Sequence, residues 1–116
     1  MESPDGAVIY YSRENEKGIW RVPAEGGGEE RVLEDGMPND WTLSATGIYL
    51  LRRDSSRLEF YPFGAERPTR SLEFPRGVRF GSRRSRQMAL SPDGRWILYT
   101  QADRVESDLV LMENFR

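Results

Sequence analysis

The densest run of chemically capable side chains is residues 76–86, Arg76-Gly77-Val78-Arg79-Phe80-Gly81-Ser82-Arg83-Arg84-Ser85-Arg86, which hold five arginines, two glycines and one aromatic. Guanidinium forks match phosphate and carboxylate bidentately, so Arg83, Arg84 and Arg86 are candidate contacts for a phosphorylated or carboxylate ligand. The ordinary alternative is a solvated loop whose arginines pair with acids elsewhere in the chain. Arginine is also the default base here, sixteen against the single Lys17, which makes its local abundance less telling. A second candidate is Asn39-Asp40-Trp41, where Asp40 and Trp41 would present a carboxylate and a stacking surface to a sugar or peptide. A tryptophan in such a place more often packs between repeating units. Asp5 and Asp93 have the chemistry of calcium ligands, but isolated turn aspartates outside an oxygen-rich loop are ordinarily turn formers, and no metal is expected.

What is missing narrows the chemistry further. The chain has no cysteine and no histidine, which excludes thiolate metal sites, disulfides, a cysteine nucleophile, a Ser-His-Asp triad and His-ligated metals. No Gly-x-Ser-x-Gly elbow or Gly-x-x-x-x-Gly-Lys phosphate loop occurs, and no two carboxylates are paired in an apolar setting. No catalytic residue and no cofactor are therefore expected, and any peptidase activity would belong to another domain.

At 116 residues with 37% hydrophobic content, the chain suits one domain with its own core. A net charge of −2 does not suggest binding of nucleic acid or of a membrane surface by this region. The charge is uneven, with ten acids and four bases in residues 1–50 and nine acids and thirteen bases in residues 51–116. No apolar run approaches the roughly 18 residues of a membrane span. The start, Met1-Glu2-Ser3-Pro4, lacks the basic and apolar regions of a signal peptide. Absent cysteines suit a reducing or an oxidising compartment equally, so a cytoplasmic and a periplasmic location both stay open.

The elements that must position these side chains are set by an internal repeat. Ser3-Pro4-Asp5-Gly6 precedes Ala7-Val8-Ile9-Tyr10-Tyr11-Ser12, and Ser91-Pro92-Asp93-Gly94 precedes Arg95-Trp96-Ile97-Leu98-Tyr99-Thr100. Between them Ser44-Ala45-Thr46-Gly47 precedes Ile48-Tyr49-Leu50-Leu51, keeping the serine and glycine but losing Pro and Asp. The serines are 41 and 47 residues apart, close to the roughly 40–50 of a propeller blade. In Ser-Pro-Asp-Gly, Pro presets φ at the second turn position, Asp suits the third, and Gly accepts the left-handed conformation that follows. Gly47 is read as the turn glycine of the middle copy.

Each repeat continues into a charged turn, at residues 13–17, 52–56 and 102–106, and then a further strand at residues 18–23, 57–62 and 107–112. Residues 30–33 and 69–72 supply the strands that finish the first two units, and residues 40–43 and 87–90 open the second and third. Only Met1 and Glu2 stand before the first turn. The expected count is three, four and three strands in units spanning residues 1–36, 37–76 and 77–116. No segment sustains a helical period, so the fold class is all-β, and the repeat points to propeller blades rather than to a sandwich or meander with coincidental turns.

The segment from Ser91 to Thr100 resembles the core motif of TolB-like, WD-repeat-like β-propellers, which also occur beside prolyl-oligopeptidase-type catalytic domains. Residues 108–116, Asp108-Leu109-Val110-Leu111-Met112-Glu113-Asn114-Phe115-Arg116, are similar to the C-termini of large bacterial regulators and receptor-like kinases, in which such a propeller follows a winged-helix or kinase domain. The middle copy departs from the motif at Ala45-Thr46. The resemblance implies about two and a half to three blades of a larger, six-bladed ring. It implies non-catalytic recognition, a sensor or protein-interaction surface of a bacterial regulator; the alternative is a substrate-gating propeller of a prolyl-oligopeptidase-like serine peptidase. An isolated run of blades leaves apolar flanks and strand edges uncovered, so self-association as a dimer is expected, with Leu109 to Met112 near the junction.

Overall fold

The computed structural model describes residues 1–74, 88–90, 96–103 and 106–113, and in the last three stretches the side chains of Ala89, Trp96 and Ile97. Among the described residues ten strands follow in order: β1 Val8–Tyr11, β2 Ile19–Pro23, β3 Glu30–Leu33, β4 Trp41–Leu43, β5 Gly47–Arg52, β6 Arg57–Pro62, β7 Arg70–Glu73, β8 Met88–Leu90, β9 Trp96–Asp103 and β10 Glu106–Glu113. They make three antiparallel sheets of three, four and three strands, each built only from strands consecutive in sequence. No helix occurs among the described residues, and the chain is all-β.

The three sheets share one register. Glu2 bridges Ile9, Leu43 pairs with Ile48, and Leu90 pairs with Ile97. Glu2, Leu43 and Leu90 each precede the repeated serine, so the same isoleucine position is reached in every unit. Met1 and Glu2 form the stub of an additional strand on β1. The N-terminal ammonium donates to the Tyr10 carbonyl at 2.7 Å, and the Tyr10 N–H donates to the Met1 carbonyl at 2.7 Å.

The first turn behaves as its residue types require. The Gly6 N–H donates to the Ser3 carbonyl at 2.9 Å, and Gly6 takes a φ of 72°, which an L side chain rarely adopts. The Asp5 carboxylate accepts from the Ser3 hydroxyl at 2.6 Å and from the Ala7 N–H at 3.0 Å. Those two bonds, the hydroxyl first, hold the carboxyl below its ordinary value of 3.8. Because the folded-state value is the depressed one, the contribution of this turn is complete above 3.8 and is lost as pH falls through the folded value. An NMR titration is expected to place the Asp5 midpoint below 3.8, with Ser3→Ala moving it back up. An ordinary midpoint in the parent chain would remove the hydrogen-bond account.

The middle copy turns more tightly. Six residues separate Glu2 from Ile9 and Leu90 from Ile97, but four separate Leu43 from Ile48. Without Pro and Asp, the Ser44 hydroxyl organises the reversal, accepting from the N–H groups of Thr46 at 3.2 Å and Gly47 at 3.1 Å. Gly47 is therefore the first residue of β5, equivalent in register to Val8 and Trp96 rather than to Gly6. The other departure from expectation is at the last hairpin, where pairing runs through to Asp103 and Glu106 although residues 102–106 read as a turn. Charge marks the tip of a hairpin, but pairing stops only where the backbone must reverse.

Packing explains the strand compositions. Tyr10, Ile19 and Leu33 of the first unit meet Trp41, Ile48, Leu50 and Tyr61 of the second in one buried cluster, so the two sheets stack face to face. On the opposite face of the second sheet Tyr49, Leu51, Leu58 and Phe60 are also buried, and β8 of the third unit lies alongside β4. A sheet covered on both faces has no solvent side on which to alternate, which is why Ile48-Tyr49-Leu50-Leu51 is continuously apolar. In β1, by contrast, only Tyr10 is fully buried.

Candidate functional site

The connection from β3 to β4 crosses from the first sheet to the second and carries Asp35, Asn39 and Asp40. Asn39 makes the crossing with a φ of 71°, a left-handed conformation that asparagine tolerates better than most side chains. Asp40 follows it. Its N–H donates to the Met37 carbonyl at 3.1 Å, and its carbonyl accepts from the Leu51 N–H at 2.7 Å. Its carboxylate is gripped by Arg53, with Nε and Nη2 each donating at 2.9 Å to a different oxygen. Trp41, the next residue, points into the buried cluster between the two sheets, and its indole N–H donates to the Ser12 hydroxyl at 2.6 Å. Asp40 and Trp41 are thus adjacent but turned to different partners, one to the turn after β5 and the other to the first unit.

A cleft of about 540 Å³ opens beside this junction. Val32, Leu33 and Leu50 line it together with Tyr61, Arg52 and Asp35, while Glu34 and Glu66 add carboxylates from opposite units. Arg52 organises its polar wall: Nε donates to Glu59, Nη1 to Asp35 at 2.9 Å and Nη2 to the Tyr61 hydroxyl at 2.9 Å. The register explains the convergence. Glu59 lies opposite Leu50, and Tyr61 opposite Ile48, so both share with Arg52 the face turned to the first unit. Burial alone would lower the Arg52 value, but the hydrogen bonds to Glu59, Asp35 and Tyr61 outweigh it and raise it. The same contact with Arg52 holds the Asp35 carboxyl low, whereas burial pushes the Tyr61 hydroxyl up. A fixed guanidinium with three partners is a rigid wall suited to holding a shape against a ligand.

On the outer side of the first sheet, Arg31 donates to the carbonyls of Lys17 and Glu34 at 2.7 and 3.0 Å and lies 5.0 Å from the Trp20 ring centroid. Arg13 approaches the same ring at 4.5 Å and pairs with Glu29. Trp20 is buried under the two guanidiniums.

Of the residues singled out in the sequence, the structure places Ser3, Pro4, Asp5 and Gly6 in the first turn, Gly47 at the start of β5, and Asp40 and Trp41 at the inter-sheet crossing. Arg83, Arg84 and Arg86, with Ser91, Pro92, Asp93 and Gly94, lie outside the described residues. The Arg52, Asp35, Glu59 and Tyr61 network was missed. Its signal was available: pairing residues 48–52 with 57–62 as a hairpin puts Arg52, Glu59 and Tyr61 on one face. Asp35 alone required knowledge of how the units stack. Among the described residues, no group of three or more His, Cys, Asp or Glu side chains is placed to hold a metal ion. No family model matches the chain, and no curated protein matches it.

Proposed function

We propose that this chain is a run of three blades from a TolB-like, six-bladed β-propeller, and that it works by non-catalytic recognition within a bacterial regulatory protein. The observation that carries the reading is the stack of antiparallel sheets, each made of consecutive strands in one shared register. A two-layer sandwich ordinarily threads its strands between sheets and leaves one face of each exposed. Among the described residues no sheet borrows a strand from another, and the middle sheet is buried on both faces. A scaffold of this kind presents inter-unit connections at its mouths, where ligands are commonly held.

The ligand class we assign is an anion, a phosphorylated or carboxylate-bearing peptide, held by Arg83, Arg84 and Arg86. Replacing all three by alanine is expected to weaken binding of a phosphopeptide by more than about tenfold in calorimetric titration, since each charged hydrogen bond lost costs about 1.5–3 kcal/mol. The melting temperature should stay nearly unchanged. Unaltered affinity would overturn the assignment. The rest of the parent reading frame tests the wider role: a winged-helix or kinase domain fits a regulator of either compartment, whereas a fused α/β-hydrolase domain would replace recognition with substrate gating.

A further inference from the structure

The first sheet runs in the order β1-β2-β3, so β3 is its last strand, and among the described residues nothing pairs with the far edge of β3. The stub formed by Met1 and Glu2 lies on the other side of the sheet, against β1. Two cavities adjoin β3. The cleft of about 540 Å³ takes in residues 31–35, and a smaller one of about 190 Å³ takes in residues 30–33. They share Leu33, Tyr61 and Glu66, so they form one groove. One wall is β3 with the connection that follows it, and the other is β5, β6 and the turn after β6. Both walls come from adjacent units inside this chain. At about 3.3 Å per residue, residues 30–35 make the groove roughly 20 Å long.

The floor of the groove is apolar and its unmatched charge is negative. Leu33 and Leu50 are core residues, and Val32 is half-buried beside them. Of the arginines at the groove, Arg21 is paired with Glu30, and Arg52 is shared between Glu59 and Asp35. Arg31 is turned to the ring of Trp20, its cross-strand neighbour, and donates to two carbonyls. Glu34 and Glu66, one from each wall, are exposed at the rim and make no ion pair among the described residues. An unpaired strand edge offers backbone donors and acceptors at a spacing that another extended backbone meets in order. Every second side chain of such an added strand would face the second unit across the groove.

We infer that this groove binds an extended segment of a partner protein, which adds as a strand to the free edge of β3, sets apolar side chains on Leu33 and Leu50, and places a basic one between Glu34 and Glu66. The site is separate from the proposed anion contacts of Arg83, Arg84 and Arg86, and the ligand has the opposite charge.

Selection from a display library of random nine-residue peptides against the 116-residue chain tests it. Enriched sequences are expected to alternate apolar residues and to carry arginine or lysine. A synthetic copy of the strongest binder should shift the amide resonances of residues 30–35 in NMR spectra. Methylating alternate backbone nitrogens of that peptide should abolish binding in one phase of the alternation and spare it in the other, because only every second N–H of a strand faces a given neighbour. Glu34→Lys combined with Glu66→Lys should weaken binding by about tenfold, mainly through slower association, as reversal of rim charges does. Thermal melts check that this variant keeps its fold, and Glu34→Gln with Glu66→Gln replaces it if it melts early. No enrichment, or enrichment of acidic sequences, would overturn the inference. So would equal binding by the two methylated forms, or an affinity unchanged when both carboxylates are replaced.

Discussion

Gly47→Ala is expected to destabilise the chain by at least about 2–3 kcal/mol, a large share of the stability of a domain this size. The cause is a close approach of two strands rather than backbone conformation. A Cβ built on Gly47 would run into the Tyr61 carbonyl oxygen, and would come within 2.8 and 2.9 Å of the Phe60 ring. The ring has nowhere to go: Phe60 is buried and packs at 4.9 Å against Tyr49. The carbonyl belongs to β6, which pairs with β5 from Gly47↔Pro62 onward, so relieving the contact means opening the central hairpin of the middle sheet. Gly28→Ala is the control, because nothing lies within 4 Å of its Cβ position and its φ is not in the left-handed region. That substitution is expected to be neutral or to stabilise by up to about 1 kcal/mol through the unfolded chain. Urea midpoints for the two variants decide the matter, and equal shifts would refute the close approach.

The same residue shows where a sequence reading of this chain succeeds and where it stops. Aligning Ser44 with Ser3 and Ser91 finds the repeat, and the composition between serines finds strands within a residue or two over most of the described chain. The alignment also pairs Gly47 with Gly6, since both stand three residues after a serine. That equivalence is lost because turn length is free to vary while strand register is not. Register is fixed by which side chains must be buried, and a slip of one residue would put Ile48 on the wrong face. Removing Pro and Asp shortened the loop by two residues and left the isoleucine in place, so the glycine moved from turn to strand and took on a different job.

The junction between the first two sheets was legible in part. Asp40 and Trp41 stand out because they open the middle unit at its connection to the first, and both do sit at the crossing. Their partners were not legible, since Ser12 lies 29 residues from Trp41 and belongs to another unit. Which of two neighbouring residues turns inward depends on the stacking of sheets, a long-range property that local pattern does not contain. The arginines illustrate the same limit. Composition draws attention to residues 76–86, whereas Arg52, in sequence the end of an apolar run, ties two partners on β6 to a third on the β3–β4 connection.

Arg53→Ala is expected to cost about 3–5 kcal/mol, and more than Asp40→Ala, although the two side chains make the same pair of bonds. The asymmetry follows from burial. The Asp40 side chain is 2% exposed and that of Arg53 is 18% exposed. Removing the guanidinium leaves a carboxylate with almost no access to water and without the two charged hydrogen bonds that made its burial tolerable. Removing the carboxylate instead leaves an arginine on a long stem near the surface, able to carry its head group into solvent. Changing both residues together to apolar ones of similar size should cost less than Arg53→Ala alone, because no charge is then left in the interior. A double-mutant cycle by urea denaturation measures the coupling, expected to be well above the roughly 0.5 kcal/mol of independent sites. The effect should reach beyond stability. Asp40 fixes the crossing by its backbone bonds to Met37 and Leu51 as well as by Arg53, and Trp41 leaves from it into the cluster between sheets. Loosening the pair should therefore expose the indole, giving a red-shifted tryptophan emission in Arg53→Ala before global unfolding. Emission unchanged up to the main transition would mean that the backbone bonds hold the crossing without the ion pair.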